Sequence, residues 1–203
     1  MNDQDTYPID FEVPLGDGSR NRWLAAAGIV LLKIVLLLPH LLLLFLFGLI
    51  IQILVWIGYW GIAITGRMPA MIRQMEIIFL AWMSRVTAWF VGTMDAYPTF
   101  GGNTNSPAQV TVEPAPEPQS RVLAVLGILM LRTLLALPHL FVLFWLSLGT
   151  LIAAWGGYVI VLITGRMPIG LYEYLVVYHR WWARVWGWIA GLTDEYPPFT
   201  LQY

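Results

Sequence analysis

Residues 34–66 read IVLLLPHLLLLFLFGLIIQILVWIGYWGIAITG and contain no charged side chain. Residues 133–165 form a second uncharged run of the same 33-residue length. A helix of that length would extend about 50 Å, whereas the hydrocarbon core of a bilayer needs only about 20 residues. Each run is therefore long enough to cross a membrane and too long to be one simple span.

The composition points to the same environment. The 203-residue chain is 59% hydrophobic and only 11% charged, which disfavours both a disordered chain and an ordinary soluble domain. It has no cysteine, which excludes disulfides, thiolate metal sites and a cysteine nucleophile. A net charge of −1 argues against a nucleic-acid partner, and the acidic start differs from the basic start of a secretory signal.

The chain also contains an internal duplication. Residues 22–100 align without a gap with residues 121–199, with 33 identities over 79 positions at an offset of 99. The identities include proline, histidine, glycine, arginine and aspartate, which chance similarity between two apolar stretches would not bring into register. The predicted organisation is an acidic tail (1–21), a first repeat (22–100), a Gly/Pro-rich linker (101–120), a second repeat (121–199) and a short C-terminal tail (200–203).

Each repeat is predicted to form a helical hairpin with an interfacial helix before it. Arg22 and Lys33 are eleven residues apart and would share one face of an amphipathic helix that kinks at Pro39. Residues 40–65 would then cross the membrane, and residues 69–94 would return until Pro98 stops the helix. Gly66 suits the left-handed residue that ends a helix. We therefore predict an all-α integral membrane protein of two repeats in one orientation; inverted repeats with one span each are the alternative.

Short strands are expected before each repeat. Ile9, Phe11 and Val13 alternate with acidic residues, and Val110 and Val112 lie 99 residues after two of them. Alternation of this kind is typical of a half-buried strand, although a lone strand is not stable by itself.

Four motifs are present in both copies: Pro-His, Thr-Gly-Arg-x-Pro, Trp-x-x-Arg and Asp-x-Tyr-Pro-x-Phe, which begin at residues 39, 65, 82 and 95 in the first copy. Through these motifs the repeat resembles an uncharacterised bacterial membrane family, known as domain of unknown function 4389. The first copy has Thr99 where the fuller form of the last motif has a second proline. The resemblance implies an integral membrane protein of one or two such units, and it implies no activity, substrate or catalytic residue.

Several polar residues within the apolar repeats are candidate functional residues. His40 and His139 each follow a proline. A duplication could bring the two histidine rings together, where they could bind haem or relay protons. The alternative is that each histidine bonds a backbone carbonyl freed by the proline. Ionisable residues in a membrane helix are expensive, so Arg85 and Arg184 are candidates for lipid binding or for pairing with Asp95 or Asp194. Glu173 and Arg180 share a helix face with Arg184. The cations expected to contact lipid headgroups are Arg22, Lys33, Arg67, Arg121, Arg132 and Arg166.

The sequence therefore predicts a non-catalytic protein. No nucleophile elbow, phosphate-binding loop or metal-ligand cluster is present in it, and no cofactor is expected. We predict an accessory or scaffolding subunit of a larger bacterial inner-membrane complex, which contacts lipids and other integral membrane subunits through its tryptophan-rich surfaces. The excess of Arg and Lys near the termini predicts that both termini are cytoplasmic. The alternatives are a small transporter or channel with its site at the repeat interface, and a haem-binding redox subunit.

Overall fold

A computed structural model describes residues 7–102 and 105–200, and it is mostly helical with one small sheet. Each repeat is preceded by a strand and ends with a helix of 22 residues; before that helix it has a long helix and one short helix in the first copy or two in the second. The described elements are β1 Ile9–Glu12, α1 Arg22–Ile29, α2 Leu32–Thr65, α3 Ala70–Val91, β2 Gln109–Val112, α4 Arg121–Ile128, α5 Leu131–Leu135, α6 Leu137–Thr164 and α7 Ile169–Ala190.

In each repeat the two longer helices form an antiparallel hairpin, as the sequence predicts. Gly66 ends α2 at φ 78°, and Gly165 ends α6 at φ 77°, in the left-handed region that glycine adopts at little cost. The predicted end of the second helix is wrong, however. Gly92 ends α3 at φ 84°, six residues before Pro98, because its positive φ already terminates the helix.

The short first helix is separate from the long one, which corrects the predicted continuous amphipathic helix. Leu31, at φ 59°, and Met130, at φ 60°, are in the left-handed region and turn the chain between α1 and α2 and between α4 and α5. Arg22 and Lys33 consequently share no helix face. Pro39 lies inside α2, whereas the helix of the second copy is interrupted at Ala136, two residues before its proline.

The short helices are exchanged between the repeats. Helix α1 packs on α6 of the second repeat, and α4 packs on α2 of the first. Glycine permits this approach: a Cβ atom on Gly28 would lie 2.4 Å from the Tyr158 ring, and one on Gly127 would lie 2.5 Å from the Tyr59 ring. Tyr59 also donates a hydrogen bond to the carbonyl of Ile189 in the other repeat. The repeats are thus interlocked rather than placed side by side.

The two predicted strands are present, and they pair with each other. Strands β1 and β2 are antiparallel, with Phe11 opposite Val110. These two residues are 99 positions apart and hence equivalent in the duplication, so the local twofold axis that relates the repeats passes between them. The sheet packs on α3 through β2 and on α7 through β1.

The second helices of the two repeats run in opposite directions. The carbonyl of Gly191, at the end of α7, accepts a hydrogen bond from Gln119 (3.0 Å), and the Gln119 side chain accepts one from the backbone N–H of Met68, before α3 (3.1 Å). Arg73 in the first turn of α3 donates to the carbonyl of Leu192 (3.0 Å). The start of α3 thus lies beside the end of α7, and the two helices are antiparallel.

Two helices, α2 and α6, are long and apolar enough to cross a membrane. They differ from the core helices of a soluble protein because only 22% and 28% of their most apolar segments are buried. Their buried residues form one stripe, as Leu37, Leu44, Ile51 and Val55 do in α2, and the remaining sides expose leucine, isoleucine, phenylalanine and tryptophan.

Candidate functional site

Each predicted histidine lies in an aromatic cage of its own repeat. The Trp82 Nε1–H donates to His40 Nδ1 (3.0 Å), and the Phe100 ring stacks on the imidazole at 3.9 Å between centroids. Tyr97 packs edge-on against the same ring and donates a hydrogen bond to the carbonyl of Leu36 (2.7 Å). Both histidines are fully buried.

The second cage repeats the first 99 residues later. Trp181 donates to His139 Nδ1 (3.1 Å), Phe199 stacks on the ring at 3.7 Å, and Tyr196 donates to the carbonyl of Leu135 (2.9 Å). A tyrosine therefore bonds the carbonyl three residues before each proline. Each histidine ring instead accepts a hydrogen bond from a tryptophan, which differs from the expectation that it would bond a carbonyl freed by the proline.

This geometry does not bring the two histidines together, contrary to one prediction. Each ring is enclosed by side chains of its own repeat. Because Nδ1 of His40 and of His139 accepts a hydrogen bond from tryptophan, the proton of the neutral ring resides on Nε2. A protonated Nε2 has no lone pair for a metal. Among the described residues no donor or acceptor meets the Nε2 atom of His40.

Two cations expected at lipid headgroups are instead buried. Lys33 donates to the carbonyl of Trp89 (2.7 Å), and its Nζ lies 4.7 Å and 4.6 Å from the ring centroids of Trp89 and Tyr158. Arg132, its equivalent, lies against the rings of Tyr59 and Trp188. Both cations are 1% exposed, and their cation–π contacts connect the two repeats. The prediction that they contact lipid headgroups is therefore wrong.

The predicted pairing of Arg85 with aspartate does not occur. The Arg85 side chain donates to the carbonyl of Gly101 instead. Asp95 accepts a hydrogen bond from the backbone N–H of Asn21 (2.7 Å), and Asp194 accepts one from Ser120 (2.6 Å). These carboxylates therefore tie the end of each repeat's last helix to the residue that caps its first helix.

Arg180 and Arg184 converge on the N-terminal strand. Asp10 Oδ1 lies 2.5 Å from Arg180 Nε and 3.5 Å from Arg184 Nη2, and Arg184 also donates to the carbonyl of Ile9 (3.1 Å). The two arginines thus hold β1 on α7. Glu173, predicted to share their face, is exposed to solvent.

The N-terminal segment contains two further perturbed groups. Burial raises the pKa of the Tyr7 phenol, which donates to the carbonyl of Glu195 (2.8 Å). Side-chain and backbone hydrogen bonds from Ser19 lower the pKa of the exposed Asp17 carboxyl. Both groups stabilise the path of the segment rather than a reactive centre.

Glu76 in α3 has no acidic counterpart in the second copy, where Leu175 occupies its position. It is 2% exposed, and neither carboxylate oxygen meets a hydrogen-bond donor among the described residues. It faces α2 near Gly58. A buried carboxyl without a partner is costly, so its presence is not explained by packing alone.

The cavities formed by the described residues are small or open, and no constellation of reactive groups lines them. One of about 140 Å³ lies between α3 and the linker and is lined by Arg85, Gln74 and Gln109 among others. Between the repeats, the Phe79 ring of α3 packs against the Trp186 ring of α7, which stacks on that of Trp182. Within the described ranges, no three His, Asp or Glu side chains are grouped as metal ligands would be.

The other four predicted headgroup cations are exposed at the turns. Arg67 forms an ion pair with Glu117 (2.8 Å) and keeps 69% of its side chain exposed. Arg166, Arg22 and Arg121 are also exposed, and the Arg22 guanidinium lies beside Gly165 at the α6–α7 turn.

Sequence reasoning did not identify which residues form the aromatic cages or which form the contact between the interlocked repeats. Trp82, Tyr97 and Phe100, with Tyr59 and Gly28, all recur at the offset of 99. That recurrence was the available signal, because nothing in one copy alone shows which aromatic side chain meets which partner.

Comparison with known protein families supports the resemblance for one repeat. The family model described as "Domain of unknown function (DUF4389)" matches residues 128–200, most of the second repeat. No curated protein and no solved structure matches the chain. The match supports the family without assigning a reaction.

Proposed function

We propose that the protein is a non-catalytic accessory or scaffolding subunit of a larger complex in the bacterial inner membrane. The exposed apolar surface of α2 and α6 carries this proposal. Monomeric soluble proteins rarely expose a contiguous apolar patch beyond a few hundred Å², and larger ones mark membrane or protein contacts. In this proposal both repeats belong to the family whose model matches the second, since every motif recurs in the first.

Exposed aromatic side chains mark where a partner helix would pack. Trp145 is 57% exposed and contacts the rings of Phe141 and Phe144, and Trp56 and Trp60 form an edge-to-face pair on α2. Clusters of this kind provide large contact areas with few rotatable bonds.

Purification from native membranes in a mild detergent would test the proposal. We expect an integral membrane subunit to co-purify in a fixed ratio, and a photo-crosslinking amino acid at Trp145 to capture that same subunit. The matched control places the crosslinker at Thr111, on the exposed side of the sheet, and should not capture it. A monodisperse protein with no co-purifying subunit would contradict the proposal.

The alternatives receive less support from the geometry. A transport site at the repeat interface would need a water-filled path, whereas Phe79 of one repeat packs against Trp186 of the other there. A redox role through His40 and His139 would need both rings at one haem, whereas each ring is enclosed in a separate cage.

A further inference from the structure

The segment before the first repeat covers α7 from one end to the other. Tyr7 bonds the carbonyl of Glu195, beyond the end of α7, and Val13 accepts a hydrogen bond from Tyr172 in the first turns. The carbonyl of Gly18 accepts one from the backbone N–H of Met167 (2.9 Å), before α7 begins. Residues 7–20 thus run along all 22 residues of the helix, about 33 Å.

The linker covers α3 in the same way. The Ser106 hydroxyl contacts the Met94 sulfur (4.0 Å), beyond the end of α3, and the carbonyl of Glu113 accepts from Arg73 (2.5 Å) near its start. Gln119 reaches Met68 before the helix begins. We call residues 7–20 and 105–119 the polar cover. Its exposed carboxylates belong to Glu12, Asp17, Glu113 and Glu117.

The apolar helices lie on the side of α3 and α7 away from the polar cover. On α3, the residues that line the cavity under the linker include Gln74, Ile78 and Arg85. Ile72, Glu76 and Phe79 instead lie nearest the glycines of α2. At about 100° per residue, these two sets occupy opposite sides of the helix. By the duplication, α6 lies on α7 as α2 lies on α3. The molecule therefore has three layers: the polar cover, a middle layer of α3 and α7, and an exposed apolar layer of α2 and α6.

The direction of the helices relative to these layers constrains how the molecule can meet a bilayer. Helices α3 and α7 are antiparallel and related by the axis through the Phe11–Val110 pair, so they lie nearly perpendicular to that axis. If α2 and α6 crossed the bilayer, the polar cover beside α3 and α7 would cross it too. Lipid-exposed irregular backbone does not occur within hydrocarbon, and exposed carboxylates there are costly.

The length of α2 leads to the same result. Its 34 residues extend about 51 Å, and apolar side chains are exposed from Leu32 to Ile64. Fitting that length into about 30 Å of hydrocarbon needs a tilt of about 54°, beyond the 0–40° of membrane helices. A helix that lies in the plane of the membrane needs no such fit.

From these observations, and on the basis of the membrane location in the proposed function, we propose that the protein lies within one leaflet and does not span the bilayer. Helices α2 and α6 are immersed in hydrocarbon parallel to the membrane plane, and the polar cover faces water. A helix layer about 10 Å thick fits a leaflet of about 15 Å. The exposed Arg67 and Arg166, at the turns that join the apolar layer to the middle layer, then meet lipid phosphates.

Because the chain has no cysteine, single cysteines can test the orientation in the full-length protein. We would introduce Arg67→Cys, Arg166→Cys and Thr111→Cys separately and label cells with a membrane-impermeant maleimide before and after permeabilisation. In-plane insertion predicts that all three label under the same condition. A spanning arrangement puts the two antiparallel turns on opposite sides, so opposite labelling of Arg67→Cys and Arg166→Cys would overturn the inference. So would a Thr111→Cys that stays unlabelled in both conditions.

Depth along α2 provides a second test. Val35, Leu49 and Ile64 are exposed on one face of α2, near its start, middle and end. Single cysteines at these positions would carry nitroxide labels, and the protein would be placed in phosphatidylcholine–phosphatidylglycerol vesicles. The collision rates of each label with oxygen and with a water-soluble nickel chelate would report its depth in the bilayer. We expect equal depth at all three; a maximum at Leu49 with both ends near water would overturn the inference. Recovery of the protein in the soluble fraction would contradict the membrane location itself, which distinguishes the two failures.

Discussion

His40 and His139 are positioned by neutral hydrogen bonds and ring stacking rather than by charge. In each cage a buried tryptophan has one acceptor, the Nδ1 atom of the histidine. The same buried arrangement in both repeats indicates that the cages close the end of each hairpin, since Phe100 and Phe199 come from the segment that follows α3 and α7. At the scale of single residues, the polar groups in the repeats are therefore structural partners of aromatic side chains.

Trp82→Phe should destabilise the protein by about 1–3 kcal/mol, because it leaves the His40 Nδ1 atom buried without its donor. Thermal unfolding in detergent, followed by near-UV circular dichroism, measures this change. Trp181→Phe should cost a similar amount in the second cage. Trp23→Phe is the control, because Trp23 is 84% exposed and its loss should leave the unfolding temperature unchanged. Equal behaviour of Trp82→Phe and Trp23→Phe would show that the cage hydrogen bond does not stabilise the fold.

Between elements, the turn that follows the first helix of each repeat depends on a backbone conformation that is unusual for residues other than glycine. Leu31 and Met130 have positive φ without being glycine, which costs about 1–2 kcal/mol per residue. Both side chains are more than half exposed, so little packing would be lost on replacement. Leu31→Gly should therefore stabilise the protein by up to about 1 kcal/mol after the greater chain entropy of glycine is subtracted.

The neighbouring residue provides the control for this turn. Leu32 begins α2 and is also exposed, but Leu32→Gly places glycine within a helix and should destabilise by about 0.5–1 kcal/mol. Denaturant unfolding of the two variants in the same detergent compares them directly. Two changes of the same sign would contradict a left-handed turn at Leu31.

The exchanged helices make a second prediction at this scale. Gly28→Ala should destabilise by about 1–3 kcal/mol, because its new methyl group would overlap the Tyr158 ring in a packed contact. Gly170→Ala is the matched control, since Gly170 lies in α7 with no atom within 4 Å of a Cβ atom there. It should be stabilising by about 1 kcal/mol, as alanine favours helix more than glycine does. Urea midpoints measured side by side would show whether the two signs differ as expected.

The sequence predicts what is encoded locally and fails where tertiary contacts decide. Gly66 and the strand pattern around Phe11 were readable because a left-handed cap and strict alternation have recognisable signatures. The turn at Leu31 has none, because an ordinary leucine adopts positive φ there only through its surroundings. Burial of Lys33 was missed for a similar reason: its two aromatic partners lie 56 and 125 residues away. In the candidate site, the polar residues could be named in advance but their partners could not.

The interlocked repeats determine the behaviour of the whole molecule. Each repeat lacks a full covering of its own long helix, because that covering comes from the short helix of the other repeat. The sheet likewise takes one strand from each half. The duplication in sequence is therefore not a pair of independent domains.

We expect a chain divided between residues 103 and 104 to reassemble when its halves are co-expressed in one membrane. An affinity tag on the first half should retain the second half after detergent extraction, because α1, α4 and the paired strands all cross between them. Gly127→Trp in the second half should reduce retention, since it fills the space that the Tyr59 ring occupies. Gly170→Trp, at an open exposed position, should not. If each half instead remained a folded, helical monomer that retained no partner, the interlocked arrangement would be wrong, since neither half could then depend on a helix from the other.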